Sequence, residues 1–497
     1  MAVTSKTRVA AVLAAVTAGC WSIARLLEAR RRVRAAEGVA VGATSRLARN
    51  RQLGVTSAVA AARWVAHKVR GLGASPERRE ELEREFQIRT AEDVTRMLGD
   101  MKGALMKLGQ MASYLDASLP DHVRSALAEL RTGAPAMAPE LAARVVEETL
   151  GEPPESLFER WDPYPIASAS IGQVHRALTR DGRQVAVKVQ YPGVAEAVRA
   201  DLENVDLLFD VLHLLFPGME PEPVVAELRS RLSEELDYRA EAAAQQAFAD
   251  FYAGHPFIHV PRVVPELSGE RVLTSEYVSG ARFEEVLSWA PEERNLAAEA
   301  IYRFAFGSIY RLRRFNGDPH PGNYVFHGNG RVSFLDFGLV KVFGEEVEQF
   351  SRMIDAMVLR PDPVRFRRLV EEFGLLSPSA PVDDEEVFEY FRHFYEFVLE
   401  DRPVRIEREY ASETLRRFFD PTGPHGPVMK HANLPPGFVV VQRINLGLYA
   451  IFAEMGAEAN WRRIAEEIWP QVQAPPSTEL GRLEAEWLAR RSHSGPS

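Results

Sequence analysis

The chain has 497 residues, 46% hydrophobic and 26% charged, which excludes a disordered or fibrous polymer and leaves ample length for a two-lobed catalytic unit with extensions. Its single cysteine, Cys20, excludes intramolecular disulfides and cysteine-rich zinc sites and fits a reducing compartment. The net charge of −10 is unevenly spread: residues 1–70 hold thirteen Lys/Arg against Glu28 and Glu37 alone, so this arm carries +11 and the remainder −21.

A basic arm on an acidic body points to an anionic partner, with membrane phospholipid and nucleic acid the two classes to weigh. Within the arm (residues 1–75), Val9 to Ala24 is an uncharged, Ala-rich run of sixteen residues flanked by Lys6, Arg8 and Arg25. A membrane span needs about 20 apolar residues, so residues 9–27 admit three readings: a marginal anchor, a signal peptide or an Ala-rich soluble helix. Secretion conflicts with the nucleotide chemistry described below, which favours a cytoplasmic protein held at a membrane through this arm. No nucleic-acid-binding motif occurs anywhere, so nucleic acid is not the expected partner.

Residues 76–155 read as a helical extension. "TAEDVTRMLGDMKGALMKLGQMASYL" opens with a capping-box-like Thr90…Asp93 and then repeats apolar residues at helical spacing. A helix over about 121–131 and another over Pro139–Leu150 follow, and Gly151-Glu-Pro-Pro breaks the run. Residues 156–280 read as a small sheet-bearing lobe. "QVHRAL" and "QVAVKVQ" form a hairpin turning at Asp181-Gly182, helices run from Val194 to about Gly254, and "RVLTSEYV" adds a strand. Residues 281–475 read as a larger, mostly helical lobe that opens with a second hairpin, "YVF" and "RVSFLDF", joined by "HGNG". The polar tail, 476–497, is expected to fray.

The chemistry concentrates at a few positions. Lys188 stands in a strand among valines, which aims a cation into a cleft. A strand lysine that pairs with nucleotide phosphates needs a helix carboxylate to orient it, and "SEELDYRAEAAAQ" offers Glu235, Asp237 and Glu241. Asp237 and Glu241 are four apart and would share a helix face, with Glu235 pointing elsewhere. Asp318 and Asn323 are five apart, the spacing of a kinase catalytic loop, and Asp336-Phe337-Gly338 follows thirteen residues later. In that chemistry Asp318 handles the proton of the attacking hydroxyl, while Asn323 and Asp336 bind magnesium. Asp336 follows "VSFL", a run that reads as a buried strand, where a carboxylate needs a partner. Lys188, Asp318, Asn323 and Asp336 therefore form a magnesium-nucleotide constellation.

Over residues 85–470 the chain resembles the UbiB family of atypical, protein-kinase-like enzymes. The resemblance rests on "KLGQ" at Lys107–Gln110, "ASASIGQVH" at Ala167–His175, "ELDYRAE" at Glu235–Glu241, and "DPHPGN" followed by "DFG". It implies an α+β, two-lobed protein-kinase-like fold whose N-terminal helical extension carries the KxGQ motif. ATP or ADP would lie against Ala167, Ser168, Ala169, Ser170, Ile171 and Gly172, with Lys188 paired to Glu241 and with Glu276, Tyr277 and Val278 as the adenine hinge. Lys107 and Gln110 would face Glu235 and Asp237 as a lid. The family is associated with coenzyme Q and other prenyl-lipid metabolism, which implies quinone-pathway enzymes or an anionic membrane as partners, and ATPase activity more readily than protein phosphorylation. The chain departs from the pattern at Asn316, where a His commonly stands. Gly317 replaces the Arg that holds a phosphorylated activation loop in protein kinases. After "DFGLVKVFG" a helix pattern begins almost at once and no A-P-E follows, so a protein substrate is disfavoured. In the nucleotide loop, side chains stand where kinases use glycine, which implies an altered grip on phosphates. The leading expectation is a kinase or ATPase; a nucleotide-binding pseudokinase scaffold and a small-molecule phosphotransferase are the alternatives.

Overall fold

The structure is a computed structural model that describes residues 137–169, 171–195, 236–317, 319–407, 410, 413, 425–429, 431–432 and 436–493. All of them belong to the second of the chain's two units, residues 62–497. The arm with its segment 9–27, the KLGQ helix with Lys107 and Gln110, and Ser170, Glu235 and Asp318 lie outside the described residues.

Helix α1 (Pro139–Leu150) forms where the sequence places it, with Pro139 in its first turn and Gly151 in the left-handed C-cap position, φ 87°. Five strands make the small sheet: β1 (Phe158–Trp161), β2 (Ala167–Ala169), β3 (Gly172–Thr179), β4 (Gln184–Gln190) and β6 (Val272–Glu276), ordered β1-β3-β4-β6 with β2 also on β3. Strand alternation sorts the two faces of β4. Val185, Val187 and Val189 are buried together with Val145 and Val146 of α1; Ala186 and Lys188 point to the opposite face. Each such buried valine contributes roughly 1.5–3 kcal/mol. The described end of the helical extension is therefore part of the small-lobe core. Gly172 is required at its position, because a Cβ there would lie 2.3 Å from the Val189 carbonyl oxygen.

Helix α2 (Tyr238–Phe251) starts in the small lobe and ends in the large one. Tyr238 packs with Ile171, Val194 and Leu273, while Phe248 and Ala249 join the main core. In the large lobe, β8 (Tyr324–Phe326) and β9 (Val332–Phe334) form the expected hairpin, and its turn uses Gly328, Asn329 and Gly330, all at positive φ. Strand β5 (Ile258–His259) adds in parallel to β9. Helix α3 (Pro291–Gly307) is the central column of this lobe and continues into a π-helical turn, Ser308–Leu312, ended by Arg313 in a left-handed conformation. Strand β7 (Arg314–Asn316) then pairs with β10 (Val340–Val342). Among the described residues the remaining helices of eight or more residues are α4 (Glu346–Ile354), α5 (Pro363–Glu372), α6 (Asp384–Arg392), α7 (Pro436–Met455), α8 (Trp461–Ile468) and α9 (Glu479–His493). Among the described residues no helix is long and apolar enough to cross a membrane.

The tail expected to fray from residue 476 does not. It forms α9, whose Leu480, Glu484 and Trp487 are buried at helical spacing. The sequence looked polar because the helix is anchored by charge. Arg303 on α3 is fully buried and donates to Glu299 (2.7 Å), to Glu467 of α8 (2.7 Å) and to Glu484 of α9 (2.9 Å). Arg311 donates to the other Glu484 oxygen at 2.6 Å. Burial opposes the Glu484 charge, but His255, Arg311 and Arg303 outweigh it and hold the carboxyl down at about 2. Burial dominates at Glu299 and raises it. Breaking such a network by removing one partner strands the other charges. Arg303→Met should destabilise the protein by about 3–5 kcal/mol in chemical denaturation; a loss below about 1 kcal/mol would show that α9 is held by its apolar face alone.

Candidate active site

Three elements, β4, α2 and the segment after β9, converge on the ammonium of Lys188. Strand β4 presents it on the face opposite α1, between Val174 of β3 and Leu273 of β6 in register. Helix α2 brings Glu241, whose two oxygens lie 2.7 and 2.9 Å from Nζ. The Asp336 carboxylate stands 3.6 Å away on the other side, and the Tyr238 ring lies beneath, 5.1 Å from the nitrogen. Burial alone would lower the lysine, but Asp336 and Glu241, with Tyr238 beside them, hold it well above its ordinary value. The cation is therefore permanently charged.

Of the three carboxylates offered by the sequence, the structure brings Glu241 to the lysine. It is 4% exposed at its side chain, against 17% for Lys188 and 37% for Asp336. Asp237 plays a different part. It is the N-cap of α2, with extended backbone, and accepts from the Arg239 amide at 2.9 Å. It therefore stands outside the helix proper, and the shared face with Glu241 does not arise. Its expected opposition to Lys107 and Gln110 lies outside the described residues.

Asn323 ends a 3-10 turn, Pro321–Asn323, in which His320 Nδ1 accepts from the Gly322 amide. The Asn323 carbonyl accepts from Leu335 at 2.9 Å, which ties the turn to the segment carrying Asp336. Strand β9 stops at Phe334, so Asp336 sits beyond the buried ladder and its side chain is partly exposed. This corrects the reading of a buried carboxylate: the chain leaves the strand two residues earlier than the apolar run suggests. Asp336 Oδ1 accepts from Gly338 at 3.0 Å, and Phe337 is buried against Phe248 of α2, ring centroids 4.9 Å apart.

Asn316, where the resemblance leads one to expect His, is buried and donates through Nδ2 to the Asp336 carbonyl. A short amide thus fixes the backbone of Asp336 from β7. Gly317 donates to the Leu339 carbonyl at 2.6 Å, and a Cβ there would approach that oxygen to 3.2 Å. Strand β10 occupies residues 340–342 and α4 begins at Glu346, so residues 343–345 alone separate that strand from the following helix. The pairing of β7 with β10 was not legible in sequence, because two three-residue strands carry no periodicity.

The segment expected to hold nucleotide is a tight hairpin of β2 and β3. Ala169 pairs with Gly172 across a two-residue tip. Ile171 buries its side chain with Tyr238 and Leu273, so only its backbone is left to face a ligand. At the hinge, the Tyr277 amide donates to the Gln184 carbonyl at 3.0 Å and the Arg176 guanidinium lies over the Tyr277 ring. Glu276 is held low by His259, 3.3 Å from its carboxylate. His259 in turn contacts Ser333 at 2.9 Å, and His327 contacts the same hydroxyl at 2.8 Å. Sequence reading missed this chain beneath the hinge, since three polar residues on separate strands give no motif. Gly280 is obligatory, as a Cβ would strike the Phe326 carbonyl at 2.6 Å.

One carboxylate and one amide oxygen are hard donors suited to magnesium. Among the described residues no group of three or more His, Cys, Asp or Glu could hold a metal. The donor set thus fits a metal whose remaining ligands are water and phosphate, the usual state of magnesium in phosphoryl-transfer sites. Removing the Asn316 donor leaves a carbonyl without its partner, so Asn316→Ala should cost about 1–3 kcal/mol in denaturation. No measurable change would mean that Asp336 is positioned by Phe337 alone.

A family model, the ABC1 atypical kinase-like domain, matches residues 129–363. The chain is 34% identical over 258 residues to the atypical kinase COQ8B, mitochondrial, of Rattus norvegicus, covering 52% of this chain and 49% of that one. It is 29% identical to the atypical kinase COQ8, mitochondrial, of Saccharomyces cerevisiae, covering 76% and 75%. The chain thus spans about half the length of the rat relative and three quarters of the yeast one. A solved structure described as the complex of Rv3197 with erythromycin from Mycobacterium tuberculosis is 32% identical, with a TM-score of 0.58, covering 80% of this chain and all of that one.

Proposed function

The chain belongs to the UbiB family of atypical kinase-like proteins, and from that premise we propose that it binds magnesium-ATP and transfers or hydrolyses the terminal phosphoryl group. The observation that carries this reading is the Lys188 ammonium set between Glu241 and Asp336. A cation of fixed charge, oriented by a buried carboxylate, suits the α- and β-phosphates. Asp336 and Asn323 supply the oxygen ligands, Asn316 holds the Asp336 backbone, and Asp318 takes or orients the proton of the attacking hydroxyl or water. Bound magnesium would offset charge on the phosphates during transfer. Glu276, Tyr277 and Val278 hold the adenine edge. The short path from β10 to α4 supports a substrate smaller than a protein.

The reading includes action at a membrane, on a lipid or prenyl-quinone pathway. It rests on the +11 arm and on the family resemblance; relatives are named mitochondrial or chloroplastic, and a cytoplasmic face is this chain's own expectation. The pseudokinase alternative is opposed by the joint presence of Lys188, Glu241, Asn323 and Asp336.

Magnesium alone should leave the melting temperature unchanged, and magnesium with ATP should raise it. At an ATP concentration a hundred times Kd the rise should correspond to about 2.7 kcal/mol. Asp336→Asn should abolish the magnesium-dependent part; an undiminished shift excludes Asp336 as the metal ligand. Deleting residues 1–70 should release the protein from anionic vesicles, since each basic residue near the surface contributes about 1 kcal/mol. If the truncated chain sediments with vesicles as the full chain does, the arm is not the membrane contact.

A further inference from the structure

The large lobe contains a cavity of about 80 Å³ with no part in the nucleotide reading. Its walls are almost wholly aromatic and aliphatic, and no charged side chain lines it. Polar side chains among its lining residues are those of Tyr302 of α3, Tyr310 of the π-helical turn, Tyr395 and Asn445 of α7; Tyr449 and Trp469 line it too. The Asn445 carbonyl oxygen is buried and has no hydrogen-bond partner. The three tyrosine hydroxyls find none among the described residues, and burial raises all three, so they remain neutral donors. All three tyrosines line the same void. The neighbouring Tyr449, by contrast, donates to the Phe394 carbonyl at 3.3 Å.

Buried polar groups are almost always hydrogen-bonded, so the Asn445 side-chain oxygen, buried without a partner at this void, needs an explanation. The backbone supplies a second observation. Ile309 and Tyr310 belong to the π-helical turn Ser308–Leu312, and Ile354 immediately precedes another, Asp355–Leu359. Such turns are rare and recur at functional sites. A void of this size is roughly half that of a cavity known to admit benzene, which limits an occupant to about five or six heavy atoms. Lack of charge excludes an ion. The pairing of three donors with one acceptor, against apolar walls, selects a molecule with a compact hydrocarbon body and a single oxygen.

We propose that this cavity is a binding site for a small neutral molecule carrying one hydroxyl, which donates to the Asn445 side-chain oxygen and accepts from the hydroxyls of Tyr302, Tyr310 and Tyr395. The site stands apart from the nucleotide reading and does not depend on it.

The test uses the full chain and cyclopentanol as the probe, with saturation-transfer NMR and calorimetry. Cyclopentanol should bind, and cyclopentylammonium, of the same shape but charged, should not. Filling the void with Val398→Phe should weaken binding at least about tenfold. Tyr310→Phe, which keeps the shape and removes one donor, should weaken it about threefold to tenfold. Near-UV circular dichroism checks the fold of each variant; should Val398→Phe fail it, Tyr310→Phe together with Asn445→Leu decides. No binding to the full chain would mean that the void holds water only and would overturn the proposal. So would binding that a folded filling variant, or the Tyr310→Phe and Asn445→Leu pair, leaves unchanged.

Discussion

The charge of Lys188 is the constraint around which the two lobes are arranged. A buried carboxylate such as Glu241 is costly without a cation within reach, and the lysine lies on a strand of one lobe while Asp336 rises from the other. The small lobe supplies the close partner and the large lobe the second carboxylate. Three conditions follow: β4 must keep its register, α2 must hold Glu241 one turn past its cap, and the segment after β9 must leave the ladder where it does. Gly172 serves the first condition by letting β3 lie directly on the Val189 carbonyl.

Helix α2 makes these conditions interdependent. Its first turn supplies Glu241 and its last turns supply Phe248, which lies against Phe337 and Phe304. The residue that orients the lysine and the residue that seats the Asp336 segment are thus fixed on one rigid rod. A rotation of the rod would disturb both contacts.

From the other side, support runs from the chain terminus inward. Helix α9 is docked through Glu484 onto Arg303 of α3 and onto Arg311. Helix α3 passes through the π-helical turn into β7, and β7 carries Asn316 to the Asp336 carbonyl. A buried ion network at the far end of the lobe is therefore continuous, through one helix and one turn, with the backbone of the candidate metal ligand. The aromatic cavity borders the same turn.

The sequence by itself determined what depends on neighbours along the chain. Period-two alternation put Lys188 on the face away from Val185, Val187 and Val189; Asp181-Gly182 and "HGNG" set the two hairpins; Pro139 and Gly151 bounded a helix to the residue. The spacing of Asn323 and Asp336 marked the site because kinase-like loops fix those intervals. The resemblance implied Glu241 as the partner of Lys188, and the structure places the two in contact; only the tertiary structure decided where α2 begins, and with it that Asp237 is consumed as its cap. It alone decided that the C-terminal segment docks, because its polar surface meets a buried arginine 181 residues away in sequence. It alone joined β7 to β10, and His259 to Ser333 and His327 beneath the hinge. These are contacts between distant residues whose energy comes from burial and charge pairing in three dimensions, and no local pattern in the chain encodes them.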